Sequence, residues 1–256
     1  PHYLCIMEHW YYYPILIVVG FVVGFINTVA GGGSLLSLPV LIFMGLPPTL
    51  ANGTNRVAIV IQTALATAGF KSKGVSTFPF NIYLGIAAFF GSLLGAKIAV
   101  DIDEAIFNKV LATIMAAVIL IIIFKPQTNL TNLQERLTGK YLWLGIIVFF
   151  FLGIYGGFIN AGIGFLIILY LHYTHYMSLV RVNATKVFVV FIYTLGALAV
   201  FIFNDKVDFK IGLILAIGNA AGAWVSSRLS VKKGDGYIRT FLIVMVSIMA
   251  IKLWFF

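Results

Sequence analysis

Gly24-Phe25-Ile26-Asn27 returns as Gly157-Phe158-Ile159-Asn160, and both copies lie within long apolar stretches. The echo continues beyond the tetrapeptide. Asn52-Gly53-Thr54 matches Asn183-Ala184-Thr185, Thr63 matches Thr194, and Gly85, Gly91, Gly95 and Ala96 match Gly212, Gly218, Gly222 and Ala223. The offset drifts from 133 through 131 to 127, as small loop deletions would produce. Polar residues repeated at matching points of two apolar halves constrain the chain to build one membrane-embedded unit twice. Ligand sites tend to form where such units meet.

Hydrophobic residues make up 61% of the chain and charged ones only 10%, too little polar surface to coat a water-soluble fold. The apolar runs are continuous and do not alternate at period two, which favours spanning helices over a barrel. The expected fold is an all-α integral membrane protein in one transmembrane domain, 1–256, holding two inverted repeats of about five helical segments each. The first repeat is expected at about 14–124 and the second at about 141–256. Cys5 is the single cysteine, so no intrachain disulfide or thiolate metal site is expected. The first 13 residues lack a basic stretch of the cleavable-signal kind, and Trp10, Tyr11, Tyr12 and Tyr13 before Pro14 read as an interfacial anchor. The net charge of +9 sits in short loops without an interleaved patch, which argues against nucleic acid as a partner.

Polar and Gly/Pro punctuation divides the chain into apolar segments at about 14–30, 32–46, 50–70, 79–100, 104–124, 141–159, 161–177, 181–203, 209–228 and 236–256. The second and seventh are short, start in glycine-rich stretches, and are expected to be short or broken helices. If every segment reverses direction, one side carries ten Lys and Arg against Glu135 and Asp235, a balance of +8, and the other a balance of −1. If segments two and seven instead dip in and return to the same side, the basic residues split almost evenly. The positive-inside rule therefore favours reversal at each segment, a multi-pass cell-membrane protein, and both termini outside the cytoplasm.

Two glycine-rich turns are the first candidates for chemistry. Asn27 leads into Gly31-Gly32-Gly33-Ser34, and Asn160 into Gly162-Ile163-Gly164. A helix restarting after each turn would aim free amides and a positive dipole end into the membrane, where an anion can meet them. Asn27, Ser34 and Asn160 could add side-chain donors. Tight packing through small residues is the structural alternative. The second candidates are Asn52, Thr54, Asn55 and Arg56, echoed by Asn183, Thr185 and Lys186. Asn52, Asn55, Ile59 and Gln62 share a helical face, as do Asn183, Lys186, Val190 and Tyr193. Ionisable groups within a span are costly and usually line a cavity or find a partner, although Arg56 and Lys186 sit close enough to their segment ends to snorkel.

All eight carboxylates fall in terminal or loop regions. A permeant cation and a carboxylate proton relay are thereby disfavoured, and a small anion is favoured. His172 and His175, among Tyr170, Tyr173 and Tyr176, read as interfacial anchors rather than as a metal or proton site. No constellation for nucleophilic catalysis is evident, so neither an enzyme nor a cofactor is expected.

At these residues the chain resembles the TauE/SafE, or sulfite exporter, family of membrane permeases. The resemblance rests on GFINTVAGGGSLLSLP at Gly24–Pro39 and ANGTNR at Ala51–Arg56, with weaker copies GFINAGIG at Gly157–Gly164 and NATK at Asn183–Lys186. The second copy lacks the third glycine and the serine, with Phe165 following Gly164. The resemblance implies an all-helical permease of two repeats moving sulfite or organosulfonate-type anions, often outward. The expected function is thus a secondary transporter of a small sulfur-containing oxyanion, working by alternating access at the repeat interface. An anion channel or facilitator, or a permease for another small anion, is the alternative. Expected partners are that anion and the lipid bilayer, with homo-oligomer formation left open.

Overall fold

In the computed structural model, residues 12–103, 105–107, 109, 110, 113 and 134–255 are described. The predicted segment 104–124 therefore lies mostly outside the described residues, and Cys5, Trp10 and Tyr11 lie wholly outside them. Eight helices carry the rest: α1 (Tyr12–Val29), α2 (Ser34–Phe43), α3 (Pro48–Lys71), α4 (Phe80–Asp101), α5 (Lys140–Phe158), α6 (Ile163–His175), α7 (Leu179–Phe203) and α8 (Phe209–Phe255). α8 is bent at Gly234, whose φ of 72° breaks it into arms 209–233 and 235–255. The second arm holds the predicted tenth segment.

Polarity is arranged inside out relative to a water-soluble bundle. Phe43, Phe203 and Trp143 are exposed, while Asn52, Asn55, Arg56, Asn160, Asn183 and Lys186 are buried. Five helices are long and apolar enough to cross a bilayer, and α2 and α6 are shorter apolar helices. Such a surface is stable only against lipid, so the chain is an all-helical integral membrane protein.

Close backbone contacts fix the helix directions. Gly218 and Gly222 of α8 sit on Ile17 and Phe21 of α1, so these helices run parallel, and Gly91 and Gly95 of α4 sit likewise on Phe150 and Ile154 of α5. α3 runs parallel to the first arm of α8: Thr54 Oγ1 accepts from the Asp208 amide at one end, and Gly69 meets Ser227 at the other. Had segment two returned to the side it left, α3 would oppose α8, so segment two reverses direction as expected.

The tips of the first two segments differ from a full crossing. Leu16, Leu41, Ala51 and Ile211 form one cluster near one end of the bundle. Asn27 reaches the level of Gln62, some eleven residues or about 16 Å deeper along α3. The turn at 30–33 is buried there, and α2 runs back to the end from which α1 came. α5 and α6 form a second such hairpin from the other end, where His175 returns to bond Arg136. Neither turn reaches the far face, because glycine breaks each helix in the bundle's middle. The end carrying Lys71, Lys73, Arg136, Lys140, Lys232 and Lys233 is called the basic face below.

Candidate functional site

The two hairpin tips meet at Gly31 and Gly164, whose main chains lie so close that a Cβ on either would overlap the other. Gly31 also has a φ of 83°, which a side chain would strain. Each tip ends a helix at mid-depth and leaves its last carbonyls without intrahelical donors. The long helix of the opposite half supplies those donors. From α3, Arg56 Nη1 donates to Gly156 O at 3.0 Å, Nη2 donates to Gly157 O, and Asn52 Nδ2 donates to Phe158 O at 2.8 Å. From α7, Lys186 Nζ donates to Asn27 O at 3.1 Å and Thr28 O at 2.9 Å, and Asn183 Nδ2 donates to Val29 O at 2.9 Å.

Both cations are therefore fully buried and neither snorkels. Each sits against the negative dipole end of a broken helix, where a cation is favoured. Lys186 gives its third donor to Asn183 Oδ1 at 2.7 Å, and the Arg56 guanidinium lies 4.7 Å from the centre of the Phe201 ring.

Between the tips lies a cavity of about 10 Å³, room for about one water. Its lining includes Asn27, Gln62, Thr63, Asn160, Gly164 and Lys186. Gln62 Oε1 accepts from Asn27 Nδ2 at 3.2 Å and from Asn219 Nδ2 at 3.3 Å, which leaves Gln62 Nε2 buried without a partner. Asn160 Nδ2 donates to Ser34 Oγ at 3.1 Å, and its Oδ1 accepts from the Tyr193 hydroxyl. Thus Asn27 with Gln62, and Asn160 with Tyr193, pair a tip asparagine with a long-helix polar group in each half. No carboxylate is among the residues lining the cavity.

Of the predicted site residues, Asn27, Asn160, Gly164 and Lys186 line this cavity, with Ser34 tied to it through Asn160. Gly31, Gly32, Gly33 and Gly162 form the buried tips. Asn52, Arg56 and Asn183 cap carbonyls next to it. Thr54 and Thr185 tie loops, to Asp208 and Thr77 respectively. Asn55 is fully buried with both amide atoms unpartnered. Gln62, Thr63, Tyr193 and Asn219 are absent from the predicted set. Gln62 and Tyr193 were visible as members of the shared helical faces; Asn219 was visible only as a lone amide within an apolar run.

The histidines correct an expectation. His172 and His175 are buried, with Nδ1 on the carbonyls of Met177 and Arg136, and the His175 ring packs between Phe80 and Tyr170. They pin the end of α6 to its neighbours and are not interfacial anchors, because α6 stops short and the loops fold over its end.

A polytopic helical bundle with two half-depth hairpins meeting at a polar cavity has the build of a membrane transporter. The model of the sulfite exporter TauE/SafE family matches residues 16–253. A probable membrane transporter protein of Haemophilus influenzae is 31% identical over 93% of both chains. The probable membrane transporter protein YfcA of Escherichia coli K12 is 27% identical over 93% of this chain and 88% of its own. One from Methanocaldococcus jannaschii is 24% identical over 93% of this chain and 94% of its own. No solved structure matches the chain. The chain belongs to the sulfite exporter TauE/SafE family and is a membrane transporter, not an enzyme.

Proposed function

We propose that the protein moves a small sulfur-containing oxyanion, such as sulfite or an organosulfonate, by alternating access at the cavity between the hairpin tips. The observation that carries this reading is the cavity's lining, which joins the Lys186 ammonium to an unpartnered Gln62 amide donor and the asparagines of both tips, with no carboxylate. An oxyanion leaving water loses strong hydration, and several donors with one cation replace it. A carboxylate there would repel it. Gly164 lines the same cavity, and the remaining tip glycines Gly31–Gly33 and Gly162, with Asn52, Asn55 and Asn183, are the groups the anion would meet once the halves move. At about 10 Å³ the cavity is closed around less than an anion's volume, so loading requires the halves to move.

The same reading takes 14–124 and 141–256 as inverted repeats. Its support is that contacts recur at the sequence offsets: Gly20 on Leu215 answers Gly153 on Ala88, and Gly24 on Asn219 answers Gly157 on Ser92. The test is counterflow of labelled sulfite in proteoliposomes. Saturable uptake accelerated by internal sulfite is expected. Flux that rises linearly with concentration and ignores internal sulfite belongs to a channel, and no flux of sulfite, sulfoacetate or taurine removes the substrate class.

A further inference from the structure

A second cavity, of about 410 Å³, opens at the basic face between α3, α4 and α7. Thr67, Phe70, Lys71, Asn81, Ala184 and Phe188 are among its walls. It comes within one helical turn of the central cavity on α3 and shares a stretch of α7 with it. On α3 the step is from Thr67 to Thr63, and on α7 Ala184 and Phe188 of the vestibule bracket Lys186 and Val187 of the central cavity. Thr67 Oγ1 and Asn81 Oδ1 in this vestibule are buried polar atoms without partners, and Lys71 at its rim is a charge an anion would meet first.

The 131-residue offset maps Ala184 to Gly53, Phe70 to Phe201 and Lys186 to Asn55. That matching place lies toward the opposite face, where the described residues pack on Gly53. Phe201 is fully buried, and the main chain of Lys206 packs on Gly53 so closely that a Cβ there would overlap the Lys206 carbonyl and the Phe201 ring. Asn55, two residues beyond Gly53 on α3, is a buried amide whose nitrogen and oxygen both lack partners. A buried amide without partners is a group whose hydrogen bonds are made in some other arrangement.

We propose that the vestibule is the substrate's passage to the basic face, and that the packing of Phe201 and the Lys206 main chain on Gly53 is the same passage, shut, toward the opposite face. The oxyanion enters or leaves past Lys71, Thr67 and Asn81 when the vestibule is open. It meets Asn55 when the plug at Gly53 withdraws. Gly53 is the residue that permits closure, since its counterpart Ala184 carries the Cβ and lies in the open passage. This inference rests on the transport reading above.

The test uses the full chain with Cys5→Ser, carrying either Ala184→Cys or, at the 131-offset counterpart of the vestibule residue Phe188, Val57→Cys, in oriented membranes with a membrane-impermeant methanethiosulfonate. Ala184→Cys is expected to react from the basic face only, with sulfite slowing the reaction and modification stopping sulfite flux. Adding Gly53→Ala is expected to raise the labelling rate of Val57→Cys from the opposite face about tenfold and to lower that of Ala184→Cys by the fraction of molecules that leave its state, as a two-state shift requires. Reaction of Ala184→Cys with flux unchanged overturns the passage. A rise at Val57→Cys without a fall at Ala184→Cys, or no change at either, overturns the coupling. Should Gly53→Ala fail to fold, an imposed sulfite gradient across the Gly53 protein must move the two rates in opposite directions, and equal movement overturns the proposal. If the parent carries no sulfite, the substrate reading falls, while the reciprocity of the two labelling rates under Gly53→Ala still decides the passage.

Discussion

Lys186 and Arg56 have the same structural task and different surroundings. Each neutralises the carbonyl end of a hairpin in the other half, so removing either leaves buried acceptors unpaired, at a cost of about 1–3 kcal/mol. Only Lys186 also faces the central cavity. Lys186→Met is therefore expected to lower both thermal stability and sulfite affinity, the latter by about 2 kcal/mol or more where the charge pairs with desolvated anion. Arg56→Met is expected to lower stability by a similar amount while folded protein keeps most of its affinity. His172→Phe, remote from the cavity lining, is expected to change affinity far less than Lys186→Met. Calorimetric binding and unfolding temperatures of the three variants check this, and normal sulfite affinity in Lys186→Met places the anion elsewhere. The sequence showed two cations inside apolar runs and left snorkelling open for both. It could not show that helix-end carbonyls of the opposite half would be their partners, since any main-chain carbonyl is invisible in residue type.

At the scale of the elements, the short helices α2 and α6 exist because glycine halts α1 and α5 at mid-depth and a second apolar run follows at once. The cross-contact of the tips depends on having no side chain at Gly31 or Gly164. Gly164→Ala is expected to destabilise the protein by about 1–3 kcal/mol, the usual range for overpacking, and Gly31→Ala by somewhat more because its φ is also left-handed. Both alanines push the same two tips apart, so the double variant is expected to cost less than the sum of the singles. Additive losses in a double-mutant cycle would show that the tips do not share one contact. Most helix bounds were legible: 50–70 became Pro48–Lys71, and 181–203 became Leu179–Phe203. Punctuation by Pro, Gly and charge is local and survives folding. The depth of the turns was not legible, because an apolar run of 17 residues before a glycine reads alike whether its end lies at the far face or in the middle. The burial of His175 was missed for a related reason: an aromatic cluster near a segment end looks interfacial until the loop at Arg136 is seen to cover it.

The whole molecule sorts its charges by end, and the ion pairs Arg181 with Glu135 and Lys97 with Asp101 each form within one end. Lys71 and Lys73 lie with Arg228, whose Nη2 reaches Ser72, and with the α7 start, where the amides of Leu179 and Val180 donate to the Asp235 carboxylate at the bend of α8. Asp101 ends α4 and Asp103 follows it at the other end, the end at which Asp208 meets Thr54. The parallel run of α3 with α8, and the reversal of α4 after α3, keep these two sets on opposite faces. Short loops rich in Lys and Arg stay in the cytoplasm during insertion, so the basic face is expected to be cytoplasmic and the vestibule to open inward. In cells expressing the Cys5→Ser protein, Asp103→Cys is expected to react with an impermeant maleimide on intact cells, whereas Lys73→Cys reacts only after permeabilisation. Both exchanges are at exposed loop positions outside the cavity lining, so they should leave folding and flux near parental levels. Labelling of Lys73→Cys on intact cells with Asp103→Cys protected would invert the molecule in the membrane, turning the open vestibule outward. Labelling of both from one side would contradict the helix directions themselves, because α4 joins the two positions by a single traverse of 22 residues, about 33 Å long.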